Sequence, residues 1–301
     1  MSAGRLAVTG ASGFLGRRVT RAAVAAGWQV TGLVRSRVEP VVEAGARAVR
    51  CALEAGALAP HFEGARALVH LANVGAEREG ARYEAVNLDG TREVLRAARA
   101  AGVPRIVYVS GLGVVRYGAS RHTTNRYFLS KLAAEVELFR SDRELAVLRP
   151  SWVIGPESAL LAELLAQLEG GEVEIVAGGG ARMQPVTVED AAEACLAAAE
   201  RATPWPLVVD VVGPEPLSQR ELVERLARAA GAAPRLRSIP AAEAAARAAT
   251  PAGYRGMGPE ELDCLLCDEV APAEPLAALL GRAPAGPDAV LRAAVARGRR
   301  G

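Results

Sequence analysis

The chain has 301 residues, 50% of them hydrophobic but only 4% aromatic, and carries 36 basic against 34 acidic side chains for a formal net charge of +2. That length suits one large α/β domain with a smaller second lobe, its core built mainly from Ala, Val and Leu. The mixed charge leaves no electrostatic footprint for nucleic acid, and the basic end, Arg297 to Arg300, reads as a solvated tail.

Arg, Glu or Gly interrupts every apolar stretch before it reaches the roughly 18 residues of a membrane span. A β-like run is under way by Leu6, which leaves no room for a signal core. Four cysteines (Cys51, Cys195, Cys264, Cys267) make no disulfide framework. A reducing cytoplasm is therefore the expected location.

In chain order, strands are expected at Leu6–Thr9, Gln29–Val34, Ala46–Arg50, Ala67–Leu71, Arg105–Val109 and Leu145–Leu148, with helices near Phe14–Ala26, Tyr83–Ala101 and Arg126–Arg140. Strand and helix in alternation predict a Rossmann-type, doubly wound parallel sheet covered on both faces, which binds ligands at the carboxyl ends of its strands. After Pro150 the expected elements are a helix around Glu157–Leu168, a Gly-rich hairpin-like stretch from Gly170 to Gly180, a helix after Asp190 with Asp190 as N-cap, and a strand at Leu207–Val212. A helix at Gln219–Ala230 follows, then short helices from Ala241 onward. These divide the chain into a dinucleotide-binding part, 1–154 plus roughly 183–213, and a smaller lobe, 155–182 and 214–301.

The stretch TGASGFLG, Thr9 to Gly16, lies between a strand and a helix, the context that makes a glycine pattern specific. Gly10 permits the tight turn, Gly13 lets backbone approach a pyrophosphate, and Gly16 allows close helix packing on the sheet. The pyrophosphate then rests on free amides at the helix start, and Thr9, Gly10, Ser12, Gly13, Phe14, Leu15 and Gly16 are the expected contacts. The second strand ends in Val34–Arg35–Ser36–Arg37 with no carboxylate for an adenine ribose. Arg35 and Arg37 suit a 2′-phosphate instead, favouring NADP(H) over NAD(H); solvated loop arginines are the alternative.

With His70–Leu71–Ala72–Asn73, Asn87–Leu88–Asp89–Gly90–Thr91, Tyr127–Phe128–Leu129–Ser130–Lys131 and Leu148–Arg149–Pro150 in this order, the chain resembles extended and atypical short-chain dehydrogenases/reductases, the NAD-dependent epimerase/dehydratase family, over nearly its whole length. GGGARMQPVTVEDAAEA and VVGPEPLSQRELVERLARAAG look most like the branch of the complex I nucleotide-binding accessory subunit and its bacterial relatives. The resemblance implies cofactor contacts at Leu71, Ala72, Asn73, Lys131 and Pro150, with Leu53 beside the adenine, where Ala52 replaces the usual aspartate. His70 is expected to contribute backbone and not to act as a base.

Lys131 is the single lysine among the 36 basic residues, and it stands four after Tyr127. Positions i and i+4 share a helix face, so a phenol and an ammonium can meet one cofactor. The adjacent cation favours the phenolate, letting Tyr127 exchange a proton with a substrate during hydride transfer. Asn87 resembles the family asparagine that kinks its helix and relays to the lysine. Ser110 is the candidate for the family's carbonyl-polarising hydroxyl, although Gly111 or Leu112 stands nearer the aligned place; Thr123 and Thr124 are substitutes.

Cys264 and Cys267 form a CxxC without a second ligand pair, so no metal site is expected. Gln184 and Arg182 either face the cleft or fix a loop. The expected function is an NADP(H)-dependent oxidoreductase or epimerase-like enzyme on a small carbonyl or hydroxyl substrate, as a possible homodimer. The alternatives are an NADP(H)-binding redox sensor or assembly and stability factor without turnover, and a sugar-nucleotide epimerase using Arg182, Arg235 and Arg237.

Overall fold

Alternating apolar residues on the strands build the molecule from the centre outward. The computed structural model describes residues 4–78, 80–116, 124–201 and 206–299. Its first half runs β1 (Gly4–Thr9), α1 (Phe14–Ala25), β2 (Trp28–Val34), α2 (Glu39–Glu43), β3 (Arg47–Arg50), α3 (Ala55–Phe62), β4 (Ala65–His70), α4 (Gly90–Ala100), β5 (Arg105–Val109), α5 (Arg126–Phe139) and β6 (Glu144–Pro150). Then come β7 (Val153–Ile154), α6 (Ala159–Glu169), β8 (Glu172–Val176), β9 (Arg182–Met183), β10 (Val186–Thr187), α7 (Val188–Glu200), β11 (Leu207–Val211), β12 (Leu217–Ser218), α8 (Gln219–Ala230), β13 (Arg235–Ile239), α9 (Ala241–Ala248), α10 (Pro259–Leu265), α11 (Glu274–Leu280) and α12 (Asp288–Gly298).

Seven strands form one parallel sheet in the order β11-β6-β5-β4-β1-β2-β3. The strands show the two-residue period required of a sheet buried on both faces. Leu6, Val8, Ala67, Val69, Val107, Ala146 and Leu148 point into one core with Val19 and Ala23 of α1 and the alanines of α7. Their neighbours Ala7, Leu68, Ile106, Tyr108, Leu145 and Val147 point into the other, against α3, α4 and α5. Small side chains on α7 (Ala191, Ala194, Ala198) allow α1 and the sheet to approach closely, which is how a core poor in aromatics still closes. Two further apolar clusters lie in the second half, one around α6, α8, β8 and α12, the other around α9 and α10.

Three expectations are corrected. The stretch from Gly170 to Gly180 is not a hairpin: β8 pairs in parallel with β13, Glu172 opposite Arg235 and Val176 opposite Ile239. Glycines at both ends marked the turns, but strand period cannot name a partner sixty residues away. Asp190 is not a cap: Thr187 caps α7 by accepting from the Asp190 amide at 3.1 Å, and the Asp190 carboxylate takes Arg282 and the Ala285 amide, both at 2.7 Å. Finally, the helix expected over Tyr83–Ala101 opens with a wide π turn, Glu84–Asp89, before α4. The Thr91 hydroxyl donates to the Asn87 carbonyl at 2.6 Å, competing with a regular backbone bond there.

Candidate active site

The strand order reverses between β1 and β4, which run parallel, so the loops after these two strands lead away to opposite sides and open a crevice at their carboxyl ends. The glycine loop fills one side of it. Gly10 has φ +68°, and a Cβ there would lie 2.8 Å from the Ala72 amide nitrogen, so only glycine lets the loop pass this near to the chain leaving β4. At Gly16 a Cβ would come within 2.2 Å of the Gly10 carbonyl oxygen; the close approach it permits is to the loop itself, a tighter constraint than packing on the sheet. Gly13 caps α1 with no side-chain acceptor, leaving the first-turn amides at Phe14 and Leu15 for an anion. A dinucleotide pyrophosphate fits this cradle, and a side chain at Gly10 or Gly16 would collide with backbone and push the loop out of this shape.

At the neighbouring strand ends Arg35 and Arg37 are exposed and neither forms a hydrogen bond or ion pair with another described residue. Arg50, at the end of β3, was not singled out in the sequence. Its Nε and Nη2 donate to the Ser36 carbonyl at 3.2 and 3.1 Å, fixing the loop that bears Arg35 and Arg37. Leu53 is half-buried against Gly90, Leu71, Ala72 and Pro150 are half-buried, and Ala52 and Asn73 are exposed. Thr9 is fully buried, and its hydroxyl accepts from the Leu71 and Ala72 amides at 3.3 and 3.4 Å.

Tyr127 and Lys131 lie one turn apart on α5, whose start is capped by Asn125 accepting from the Phe128 amide at 3.2 Å. Lys131 is 1% exposed and donates to the Val109 carbonyl at the end of β5, 2.8 Å away, with its ammonium 4.4 Å from the centre of the Tyr108 ring. Burial pulls the ammonium down to about 7, against the opposing pull of the Glu135 carboxylate. Tyr127 packs against Tyr83 and Phe128, ring centres 5.8 and 5.2 Å apart. Burial, then the negative potential of Cys264 and Glu269, pushes its phenol above the ordinary range. The phenol is thus held in its protonated form.

Ser110 is 4% exposed, and its hydroxyl has no hydrogen-bond partner among the described residues. Gly111 and Gly113 sit under the Phe128 ring and Leu112 is buried, which leaves Ser110 the hydroxyl on this stretch. Thr123 lies outside the described residues, and Thr124 is exposed before α5. Asn87, 1% exposed, exchanges two bonds with Val74 (2.9 and 3.1 Å) and donates to the Ser130 hydroxyl at 2.9 Å.

Gln184 fixes loops: its side chain donates to the Gly213 carbonyl and accepts from the Ala271 amide. Arg182 is exposed, its backbone tied to Asp268 and Glu269. Arg235 and Arg237 pair with Glu172, and Arg237 also with Glu174, so neither offers an uncommitted charge to a nucleoside diphosphate. Cys264 donates within α10 to the Glu260 carbonyl at 3.2 Å.

The sequence model of the NAD dependent epimerase/dehydratase family matches residues 6–209. The chain belongs to this family. Among its family relatives, the ceramide reductase of Caulobacter vibrioides is 30% identical over 245 residues, 79% of this chain and 74% of that protein. The 2-alkyl-3-oxoalkanoate reductase of Stenotrophomonas maltophilia is 31% identical over 253 residues, 76% of each chain. The crystal structure of gox2253 superposes with a TM-score of 0.80 at 25% identity, covering 98% of both chains. The UDP-glucuronic acid 4-epimerase of Bacillus cereus, seen with UDP-glucuronic acid and NAD, shares the fold at a TM-score of 0.78, with 16% identity and coverage of 98% of this chain and 99% of that one. No helix among the described residues of this epimerase/dehydratase family member is long and apolar enough to cross a membrane.

Proposed function

We propose that the chain is an NADP(H)-dependent reductase of a small carbonyl compound, with Tyr127 as the proton donor and Lys131 as its electrostatic partner and ribose anchor. One observation carries this reading: the chain's single lysine is buried at the carboxyl end of β5, one helical turn from a protonated phenol, beside a glycine cradle shaped for a dinucleotide. The relatives named as reductases support the direction of the reaction.

The reduced nicotinamide supplies a hydride when bound. Tyr127 gives its proton to the carbonyl oxygen that becomes the alcohol, and the Ser110 hydroxyl polarises that oxygen by donating to it. Lys131 lowers the cost of the phenolate left behind. Asn87 holds the loop at Val74 in place. Arg35 and Arg37, with Arg50 bracing their loop, hold the 2′-phosphate.

In this reading 1–154 with about 183–213 carries the cofactor, and 155–182 with 214–301 closes the substrate side. A reducing cytoplasm suits its four free cysteines, and the exposed apolar side chains of α5 form a homodimer face.

The test is NADPH oxidation with a panel of aliphatic and aromatic ketones. Tyr127→Phe should keep NADPH affinity and lower kcat by roughly 10²- to 10⁴-fold; an unchanged kcat would remove Tyr127 from the reaction. A second reading, cofactor binding without turnover as the complex I resemblance implies, is favoured by how closely Tyr83, Phe128 and the α10 segment crowd Tyr127. Tight NADPH binding with no oxidation of any ketone would establish it.

A further inference from the structure

His70 belongs to no step described above, yet it is the most enclosed titratable side chain beside the crevice, with 0% exposure. Its two ring nitrogens face two hydroxyls. Nδ1 lies 2.7 Å from the Thr9 oxygen and Nε2 lies 3.0 Å from the Thr91 oxygen. Thr91 spends its only hydroxyl proton on the Asn87 carbonyl at 2.6 Å, so it must accept from His70. Nε2 therefore carries the hydrogen. Burial pulls the imidazole down to about 3, with Lys131 adding to the effect, so the ring is neutral and Nδ1 is an acceptor for the Thr9 hydroxyl.

From Asn87 the chain of bonds continues. The Val74 amide donates to the Asn87 side-chain oxygen, which fixes the orientation of the amide group and turns its NH2 toward Ser130 at 2.9 Å. Ser130 in turn donates to the Tyr127 carbonyl at 2.6 Å. Thr9, His70, Thr91, Asn87 and Ser130 are all at least nine-tenths buried, and each proton in the series has one acceptor. A satisfied buried network of this kind specifies one arrangement, because any break strands a polar atom in a low-dielectric interior.

We propose that His70 is a positioning residue that sets the glycine loop and Tyr127 in register with each other across the bound dinucleotide. This rests on the cofactor reading above and adds to it the device that joins two otherwise separate elements. Through Nδ1 it holds Thr9, and with it the amides of Leu71 and Ala72 beside the cradle. Through Nε2–H it holds Thr91, and with it the π turn, Ser130 and the backbone of Tyr127. The two nitrogens thus serve two different functional groups, one for binding and one for chemistry.

That division is what the experiment reads. His70→Asn keeps an acceptor near the Nδ1 position and loses the donor to Thr91; His70→Gln keeps a donor near Nε2 and loses the acceptor for Thr9. NADPH affinity is measured by fluorescence titration, ketone reduction gives kcat, and hydrogen exchange on peptides covering 9–16 and 125–135 is followed with and without NADPH. His70→Asn should hold NADPH within about twofold of wild type while kcat falls about tenfold and NADPH-induced protection of 125–135 is lost. His70→Gln should weaken NADPH by about tenfold with kcat at saturation nearly kept.

Ser130→Ala, which deletes only the last hydroxyl, should reproduce the His70→Asn pattern and serves if the histidine variants do not fold. Equal changes in affinity and kcat in both histidine variants, or folded variants with neither changed, would overturn the proposal. So would Ser130→Ala with wild-type kcat and wild-type protection of 125–135. The protection readout stands if the wild type binds NADPH without turnover. Failure of the wild type to bind NADPH would instead sink the cofactor reading and this inference together.

Discussion

At the residue scale, Lys131 shows how one substitution pattern carries chemical meaning. Arginine serves at the other 35 basic positions, but a guanidinium stays charged in almost any surroundings, whereas a buried ammonium can be brought down to about 7 by loss of solvation. The site at β5 accepts a compact donor to the Val109 carbonyl under the Tyr108 ring. In the proposed reading, Arg35 and Arg37 are places where a planar, permanent charge is an advantage. Replacing both with Ala should weaken NADPH roughly ten- to a hundredfold while NADH changes little. Titrations with the two reduced dinucleotides check it, and equal losses for both would show that these side chains do not read the 2′-phosphate.

At the element scale, α5 has three faces with three tasks. One buries Ala134 and Leu138 against the sheet. Another presents Tyr127 and Lys131 to the crevice. The third exposes Leu129, Val136 and Phe139, each more than 40% accessible, at spacings of seven and three residues along one side. A stripe of this kind is costly to leave in water, and covering it in a homodimer would also stiffen the helix that carries Tyr127. Leu129→Glu with Phe139→Glu should therefore shift the sedimentation of the protein from dimer to monomer. A wild type that sediments as a monomer at micromolar concentration would refute that role for the stripe.

The start of α5 is also where distant parts of the chain meet. Asn125 caps the helix and donates to the Glu260 carbonyl at 3.0 Å and to Asp263 at 3.4 Å, so α10 is pinned over the Tyr127 end. This explains why Cys264 and Glu269 act on the phenol although they lie far away in sequence. Helix periodicity placed Tyr127 and Lys131 on one face. It contained no information about which later segment would cover them.

At the scale of the whole molecule, the buried bases tie stability to pH. His70 titrates near 3 in the fold against about 6.5 unfolded, so its contribution is full above about pH 6.5 and is lost as pH falls, because the unfolded chain binds the proton first. Lys131 titrates near 7 against an ordinary value of 10.5. Above about pH 7 it should make the apoprotein progressively more stable, the slope approaching about 1.4 kcal/mol per pH unit by about pH 8.5, since the unfolded state there holds the extra proton. The buried thiols of Cys195 and Cys264, which are pushed up, oppose this from about pH 8.5, and the buried tyrosines near pH 10 and above. Denaturant titrations of wild type and Lys131→Met should show the upward slope in the first and not in the second; parallel slopes would contradict the burial argument.

By itself the sequence determined what short-range physics encodes. The strand at Arg105–Val109 and the helix at Gln219–Ala230 lie where apolar period and turn signals placed them, and the glycine loop was legible because strand, turn and helix follow one another directly, from Gly4 to Ala25. The pairing of β8 with β13, the capping of α7 by Thr187, the bracing of the arginine loop by Arg50 and the bond series through His70 were decided only in the tertiary structure. The partners of His70 stand 61 and 21 positions away. Periodicity and caps report on neighbours within a turn or two, while the identity of a buried polar group's partner is settled only when packing excludes water and forces every donor to find an acceptor.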